Sequence, residues 1–263
     1  MPYAINNGIR IRYETEGRGP PLLLHIGGVG GALEDWYDAG YVAALRDGYR
    51  LILIDPRGQG QSDKPHDPAA YVRRERVGDV CAVLDALGIE RTHFWGYSSG
   101  GQVGYGMGVW AGDRLLSLIL GGSSGLPYPP SSIEDFPLYQ LVQLGMAGMV
   151  TELEQDDPEF WASEGERARW LAADATAISA ALRGSFPESL SAEELATVQV
   201  PACVYCGTND NPEPKARAAQ AMPNATFIAL EGLDHAAAIN RSAVILPHVT
   251  AFLDRQARHD ASC

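Results

Sequence analysis

Residues 96–100 read Gly-Tyr-Ser-Ser-Gly and match the pattern G-x-S-x-G, which is typical of a nucleophilic serine. The apolar run 93–97 reads as a strand into this segment, and the glycine-rich stretch 99–110 reads as a helix out of it. Glycines on both sides permit a strained strand-to-helix turn, where a Cβ would collide with neighbouring backbone. Such a turn exposes a hydroxyl and points helix N–H groups toward it, where they favour negative charge. We therefore predict Ser98 as a nucleophile.

A serine hydroxyl needs a base to remove its proton, and histidine is the usual one. His235 follows the apolar run 226–230 and precedes a predicted helix. In an open α/β sheet, ligands bind at the carboxyl ends of the strands, which is where His235 falls. We predict His235 as the base. The other histidines lie beside or within a core strand, in a loop, or at the last helix: His25, His66, His93, His248 and His259.

The base in turn needs a carboxylate to orient it. Asp210 comes directly after the apolar run 202–206, so it falls at the same edge of the predicted sheet. The chain order is then serine, aspartate, histidine. Asp210 would hold the tautomer of His235 and stabilise its protonated form. Asp234 is the weaker candidate, because side chains of sequence neighbours seldom point at each other.

A negative charge that develops on a substrate oxygen needs backbone donors close by. The N–H of Ser99, directly after the nucleophile, is the first predicted donor. The second is expected from the loop after the first apolar run, where glycines allow a close backbone approach. Gly27 is the preferred residue, with Gly28 as the alternative.

Continuous apolar runs predict the strands that carry these residues. Residues 3–6 and 9–14 alternate as a hairpin around Asn7-Gly8, a strong turn signal. Six further runs are apolar throughout, as in strands of a parallel sheet buried on both faces. They are residues 21–26, 50–55, 93–97, 115–121, 202–206 and 226–230.

Helical periodicity lies between these runs. Apolar residues recur at helical spacing over 77–87, and Gly88 follows as a C-cap; 99–110 and 243–255 also read as helices. This alternation predicts an α/β fold with a mostly parallel central sheet flanked by helices.

The segment 125–197 breaks the alternation. It contains no strand-like run and carries aromatic and methionine side chains at loosely helical spacing. We predict a core domain formed by 1–124 and 198–263, with 125–197 as a helical cap over the carboxyl edge of the sheet. Five residues are predicted to line a substrate pocket there: Trp36, Tyr97, Tyr139, Met146 and Trp161.

Composition excludes other classes of function. The chain has 263 residues, 46% hydrophobic, and its 33 acidic against 20 basic residues give a net charge of −13. Nucleic-acid binding needs clustered basic residues, which the sequence lacks. No stretch approaches the roughly 18 consecutive apolar residues of a membrane span, and the N-terminus lacks the regions of a signal peptide. We expect a cytoplasmic protein that binds neither nucleic acid nor membrane.

Cys203 and Cys206 have the C-x-x-C spacing of some metal and redox sites. They fall within a predicted buried strand, where residues three apart point to opposite faces. No second pair completes a zinc set. We expect no metal and no cofactor.

Taken together, these segments resemble the α/β-hydrolase family over nearly the whole chain. The similarity covers the loop 25–28, the elbow around Ser98, the loop 207–210 and the turn 234–235. It also covers residues 55–62, Asp-Pro-Arg-Gly-Gln-Gly-Gln-Ser, which we interpret as loop architecture. The resemblance implies an α/β-hydrolase fold with the helical cap inserted between the fourth and fifth parallel strands.

The nucleophile discriminates among reactions within this family. Haloalkane dehalogenases and epoxide hydrolases carry aspartate where Ser98 stands, whereas serine with a histidine base favours acyl transfer. We predict a carboxylic ester hydrolase acting on small to medium apolar esters or lactones. Three alternatives stay open: a carbon–carbon bond hydrolase with Arg183 or Arg169 in its pocket, a cofactor-free haloperoxidase or perhydrolase, and a slow-turnover ligand receptor.

Overall fold

Eight strands form one sheet in the computed structural model, which describes residues 2–27, 29–127, 132–158, 160–161, 163–186 and 188–260. The strand order is β1-β2-β4-β3-β5-β6-β7-β8. The strands are β1 (Tyr3–Asn6), β2 (Ile9–Glu16), β3 (Pro21–His25), β4 (Arg50–Ile54), β5 (Thr92–Tyr97), β6 (Leu115–Gly121), β7 (Ala202–Gly207) and β8 (Ala225–Leu230).

The pairing of the strands follows the sequence pattern. Strands β3 to β8 are parallel, and β1 and β2 form an antiparallel hairpin at one edge. At the hairpin turn Asn7 and Gly8 both have positive φ, 49° and 82°, as a type I′ turn requires. The predicted fold class is confirmed.

Helices connect the strands and cover both faces of the sheet. They are α1 (Glu34–Asp38), α2 (Tyr41–Leu45), α3 (Arg73–Ala86), α4 (Ser99–Trp110), α5 (Pro137–Gln143), α6 (Gly145–Asp156), α7 (Glu164–Leu171), α8 (Ala175–Ser185), α9 (Ala192–Leu195), α10 (Pro212–Ala221), α11 (Ala237–Asn240) and α12 (Ser242–Asp260). Short 3₁₀ turns occur at Pro68–Tyr71, Gly112–Arg114 and Ile133–Asp135. Within these described ranges, no helix has the length and hydrophobicity of a membrane span.

Helix α3 begins one turn before the apolar period from which we predicted it. Its first turns carry Arg73, Arg76 and Asp79, and all three side chains are buried. Charged residues on a helix usually face water, so burial of this stripe is unusual. The helix is therefore covered on its charged face as well as on its apolar face.

The segment between β6 and β7 is helical in the structure and lies over the carboxyl ends of the strands. Helices α5, α6 and α8 share a small core of their own, in which Met146 and Met149 pack against Ile178. Its two ends meet, because the Leu190 N–H donates to the Gly125 carbonyl oxygen at 2.8 Å.

Ion pairs tie this segment to the rest of the molecule. Arg169 of α7 donates to Asp35 and Asp38 of α1, with nitrogen–oxygen distances of 2.5 and 2.7 Å. On the other side, His66 Nε2 lies 2.9 Å from Asp174 Oδ2 at the start of α8. Asp35 is the most buried of these groups, and burial raises its pKa from 3.8 to about 6.

This raised pKa predicts a pH-dependent contribution to stability. The folded chain holds the Asp35 proton more tightly than the unfolded chain, so Asp35 destabilises the fold increasingly as pH rises from about 3.8 to about 6. Over that range the free energy of unfolding of the wild type should fall relative to that of Asp35→Asn by up to about 3 kcal/mol. Denaturant unfolding of both proteins at several pH values measures the difference. A difference that is constant with pH would contradict the prediction.

Candidate active site

Ser98 occupies a strained turn between β5 and α4. Its φ of 54° and ψ of −121° lie in a backbone region that residues other than glycine rarely adopt. A Cβ at Gly96 would lie 2.3 Å from the Gly100 carbonyl oxygen, and one at Gly100 would lie 2.1 Å from the His25 carbonyl oxygen. The two glycines of the motif are therefore required by backbone contacts on both sides of the serine.

A hydrogen-bonded chain connects Ser98 to two loops at the carboxyl edge of the sheet. His235 Nε2 lies 3.0 Å from Ser98 Oγ, and His235 Nδ1 lies 3.0 Å from Asp210 Oδ2. A carboxylate only accepts hydrogen bonds, so Nδ1 carries the hydrogen and Nε2 is left to accept from the serine. The structure thus brings together the three residues predicted as nucleophile, base and acid.

Asp234, the alternative acid, has a different role. Its Oδ1 accepts the N–H of Ala237 at 2.8 Å, at the start of α11. The carboxylate satisfies a helix N–H that would otherwise lack a partner. It points along the chain, whereas Asp210 points across the sheet edge to His235.

Lys215 supports Asp210, and the sequence analysis missed it. Its ammonium group is buried and donates to the Asp210 backbone oxygen, to Asp210 Oδ1 at 3.2 Å and to the Asn211 carbonyl oxygen at 3.2 Å. One carboxylate oxygen of Asp210 is therefore held by the lysine, and the other faces His235. Lys215 lies on α10 five residues after Asp210, which is the only sequence signal for this contact.

The loop after β3 lies against the serine turn. A Cβ at Gly27 would be 2.4 Å from the Ser99 nitrogen and 2.5 Å from the Tyr97 carbonyl oxygen. The predicted donor residues Gly27 and Ser99 are thus in direct backbone contact. Gly28, the other predicted donor, lies outside the described residues.

His25 underlies this loop. Its Nδ1 lies 2.7 Å from the Ile26 carbonyl oxygen, and burial lowers the pKa of the ring to about 3. The ring is therefore neutral at physiological pH. Its place beneath the loop is that of a structural hydrogen-bonding group.

A cavity of about 900 Å³ opens over Ser98 and His235. Its apolar wall comes mainly from the segment between β6 and β7: Leu126, Phe136, Leu138, Ile178, Leu182 and Phe186. Its polar wall comes from the core of the protein: Arg57, Arg76, Gln102, Ser123 and Lys215. This volume suits a small ligand with an apolar body.

The five aromatic and methionine residues predicted to line this cavity lie elsewhere. Trp36 is 0% exposed and packs edge-on against Trp95, with ring centres 5.5 Å apart. Tyr97 lies under His235, and its hydroxyl donates to the His235 carbonyl oxygen at 2.6 Å. Tyr97 therefore supports the base from below instead of contacting the cavity.

The other three belong to the segment between β6 and β7. Met146 is buried in the small core of that segment. Tyr139 is buried and accepts a hydrogen bond from Arg183. Trp161 packs against Trp170 and donates to Glu154 at 2.9 Å. Of the helices that these side chains stabilise, α5 and α8 form the cavity wall.

The cations of the cavity also differ from those expected. Arg183 donates to Tyr139, and Arg169 pairs with Asp35 and Asp38, so neither lines the cavity. Arg57 and Arg76 do. Arg57 belongs to the segment 55–62, which forms cavity wall in addition to loop architecture. Arg76 lies on the charged face of α3.

Comparison with known proteins gives three similarities of sequence. Residues 20–152 match the family model described as the alpha/beta hydrolase fold. The chain is 30% identical over 237 residues to the dihydrolipoyllysine-residue acetyltransferase component of the acetoin cleaving system of Cupriavidus necator, covering 85% of this chain and 61% of that protein. It is 39% identical over 83 residues to 3-oxoadipate enol-lactonase 1 of Acinetobacter baylyi, covering 32% of this chain and 30% of that enzyme. The chain thus covers less than two thirds of each relative.

A solved structure is similar over a greater length. The enol-lactonase from Burkholderia xenovorans LB400 aligns with a TM-score of 0.83 and 26% identity. The alignment covers 96% of this chain and 100% of that one. The similarity therefore includes the segment between β6 and β7 as well as the sheet.

The contact between Gly27 and the serine turn predicts a destabilising substitution. Gly27→Ala places a methyl group against the Ser99 nitrogen and should lower the free energy of unfolding by about 1–3 kcal/mol, because backbone must move. Gly112→Ala is the matched control, since a Cβ there meets no atom within 4 Å. Denaturant unfolding of both variants measures the effect. Equal stability of the two variants would contradict the prediction.

Proposed function

The chain belongs to the α/β-hydrolase fold family, and we propose that it is a serine hydrolase that cleaves carboxylic esters or lactones through an acyl-enzyme on Ser98. The observation that carries the proposal is the hydrogen-bonded chain from Ser98 Oγ to His235 Nε2 and from His235 Nδ1 to Asp210 Oδ2, each 3.0 Å long. Serine with a histidine base and an orienting carboxylate suits attack on a carbonyl carbon.

Acylation uses these three residues in sequence. Ser98 Oγ attacks the carbonyl carbon while its proton passes to His235 Nε2, and Asp210 stabilises the resulting imidazolium. The backbone N–H groups of Ser99 and Gly27 are the proposed donors to the oxyanion. When the tetrahedral intermediate collapses, the imidazolium gives its proton to the departing alkoxide, and the acyl group stays on Ser98.

Deacylation repeats these steps with water as the nucleophile. His235 Nε2 takes a proton from the water, whose oxygen attacks the acyl carbon, and then returns a proton to Ser98 Oγ. The products are a carboxylic acid and an alcohol. For a lactone the two remain one molecule, a hydroxy acid.

The cavity supports a substrate of small to medium size with an apolar body. We assign the segment 125–197 the role of a cap, because its helices supply the apolar wall above Ser98. The structural similarity to an enol-lactonase over 96% of the chain supports including lactones among the substrates. Serine instead of aspartate at position 98 argues against epoxide or haloalkane hydrolysis.

Removing the nucleophile tests the proposal directly. The wild type should hydrolyse p-nitrophenyl acetate or butyrate, and Ser98→Ala should lower kcat/KM by roughly 10³-fold or more. A fluorophosphonate probe, followed by mass spectrometry, should label Ser98 in the wild type. Ser242→Ala, outside the cavity, is the matched control and should keep full activity. Undiminished hydrolysis by Ser98→Ala would exclude this mechanism.

Replacing the acid tests the division of roles between the two aspartates. Asp210→Asn should lower kcat by roughly 10³- to 10⁴-fold, because an amide can donate to Nδ1 and so favour the wrong tautomer of His235. Asp234→Asn alters only the start of α11 and should change kcat less than tenfold. Steady-state kinetics on the same ester measures both. Equal losses in the two variants would refute the assignment of Asp210.

A further inference from the structure

Among the described residues, three arginine and lysine side chains line the cavity, and two of them form ion pairs with carboxylates of the protein. Arg57 donates from Nε and Nη2 to Asp79 at 3.0 and 2.6 Å, and from Nη1 to the Ala70 carbonyl oxygen at 2.6 Å. Lys215 gives its hydrogen bonds to Asp210 and Asn211. The charge of each is therefore compensated by a carboxylate, Asp79 for Arg57 and Asp210 for Lys215.

Arg76 is the exception. Only its Nη2 donates within the protein, to the carbonyl oxygen and the hydroxyl of Ser99 at 3.3 and 3.2 Å. In the described part of the chain, no acceptor contacts its Nε or Nη1 and no carboxylate forms an ion pair with it. The residue is only 8% exposed, so water compensates its charge poorly.

The neighbouring carboxylates have other hydrogen-bond partners. The two oxygens of Asp79 accept from Nε and Nη2 of Arg57. The Glu188 carboxylate accepts the backbone N–H of Arg73, and the guanidinium of Arg73 donates to the Glu188 carbonyl oxygen. Burial, followed by the charge of Arg73, lowers the pKa of Arg76 to about 10, which leaves the group charged at neutral pH. One positive charge on the cavity wall thus lacks a direct partner.

We propose that Arg76 binds a carboxylate of the substrate, so that the natural substrate is an ester or lactone that also carries a free carboxylate. This inference rests on the proposed function. The two N–H groups of Nη1 are unused, and one of them can donate a charge-assisted hydrogen bond to a carboxylate oxygen. A carboxylate brings one negative charge to match the charge of Arg76, whereas a phosphate would bring about −1.5 to −2.

The position of Arg76 also limits the size of the substrate. The guanidinium contacts Ser99, the residue directly after Ser98. The Cα atoms of two consecutive residues are about 3.8 Å apart. A carboxylate on Arg76 would therefore lie only a short carbon chain away from a carbonyl group at Ser98. The half-esters of short dicarboxylic acids and the lactones of short hydroxydicarboxylic acids have this spacing.

Matched pairs of esters test the proposal. Each pair contains an ester with a free carboxylate and its neutral methyl-ester counterpart, with the carboxylate on the acyl part in one pair and on the alcohol part in the other. In at least one pair, the wild type should prefer the acid by about tenfold or more in kcat/KM. Arg76→Gln should lower kcat/KM for that acid by about 100-fold and for its neutral counterpart less than threefold. Arg76→Lys, which keeps the charge with a different donor geometry, should fall between them.

Two controls separate recognition from structural damage. Arg183→Gln removes a cationic side chain outside the cavity and should leave the preference for the acid unchanged. Glutarate should slow the labelling of Ser98 by a fluorophosphonate in the wild type, whereas glutaramide should not. This measurement needs no variant, so it holds even if Arg76→Gln fails to fold.

The outcomes distinguish the two proposals. If the wild type hydrolyses neutral esters but shows no preference for the acid and no protection by glutarate, the inference is overturned and the proposed function stands. Equal losses for both members of each pair in Arg76→Gln, without glutarate protection of the wild type, would also overturn it. If the wild type hydrolyses no ester and Ser98 is not labelled, the proposed function fails and the inference fails with it.

Discussion

The site depends on a close approach of backbone segments around Ser98. The serine holds a positive φ because β5 turns directly into α4. On either side of it, at Gly96 and Gly100, the neighbouring backbone leaves no room for a Cβ. Gly27 brings the loop after β3 against the same turn. The hydrogen bond of 3.0 Å between Ser98 Oγ and His235 Nε2 tolerates little movement, and these backbone contacts limit the movement of Ser98. The sheet below, buried on both faces, supplies the rigid support for the strained turn.

Electrostatics forms a second layer around this turn. Asp210 contacts both Lys215 and His235, so the lysine holds one carboxylate oxygen and the other faces the histidine. Asp79 likewise pairs with Arg57, and the Glu188 carboxylate accepts the backbone N–H of Arg73. A buried charge is costly without a partner, and Arg76, next to Ser99, forms no ion pair in the described part of the chain. The same chain thus presents an apolar wall from its inserted helices and a polar wall from its core.

Much of the architecture is predictable from the sequence because the signals are local. Six apolar runs mark the parallel strands, since a strand buried on both faces must be apolar throughout. Ser98, Asp210 and His235 could be assigned because each directly follows such a run, and the ends of parallel strands meet at one edge. The direction of a side chain is not local. Trp36 and Met146 are suitable pocket residues by type, but packing turns them into separate cores.

Arg76 is a residue whose position at the cavity could not be predicted from the sequence. A charged stripe on an amphipathic helix normally indicates a face in water. Here that face lies against the elbow and the inserted segment, so the pattern of the sequence gives no sign that the arginine reaches the cavity. Only the tertiary arrangement brings a residue of α3 next to one that follows the nucleophile.

The hydrogen bond between Leu190 and Gly125 has a consequence for how such a protein can diverge. The inserted segment leaves the sheet after β6 and returns at its neighbour β7, and this bond closes the two ends to a narrow neck. Lengthening a loop whose ends are already held together costs little entropy, about 0.6 kcal/mol for each doubling. Insertions, deletions and exchanges of helices beyond the neck therefore leave the register of β6 and β7 unchanged. Substrate range can evolve in this segment while the reactive groups stay under separate constraint in the sheet.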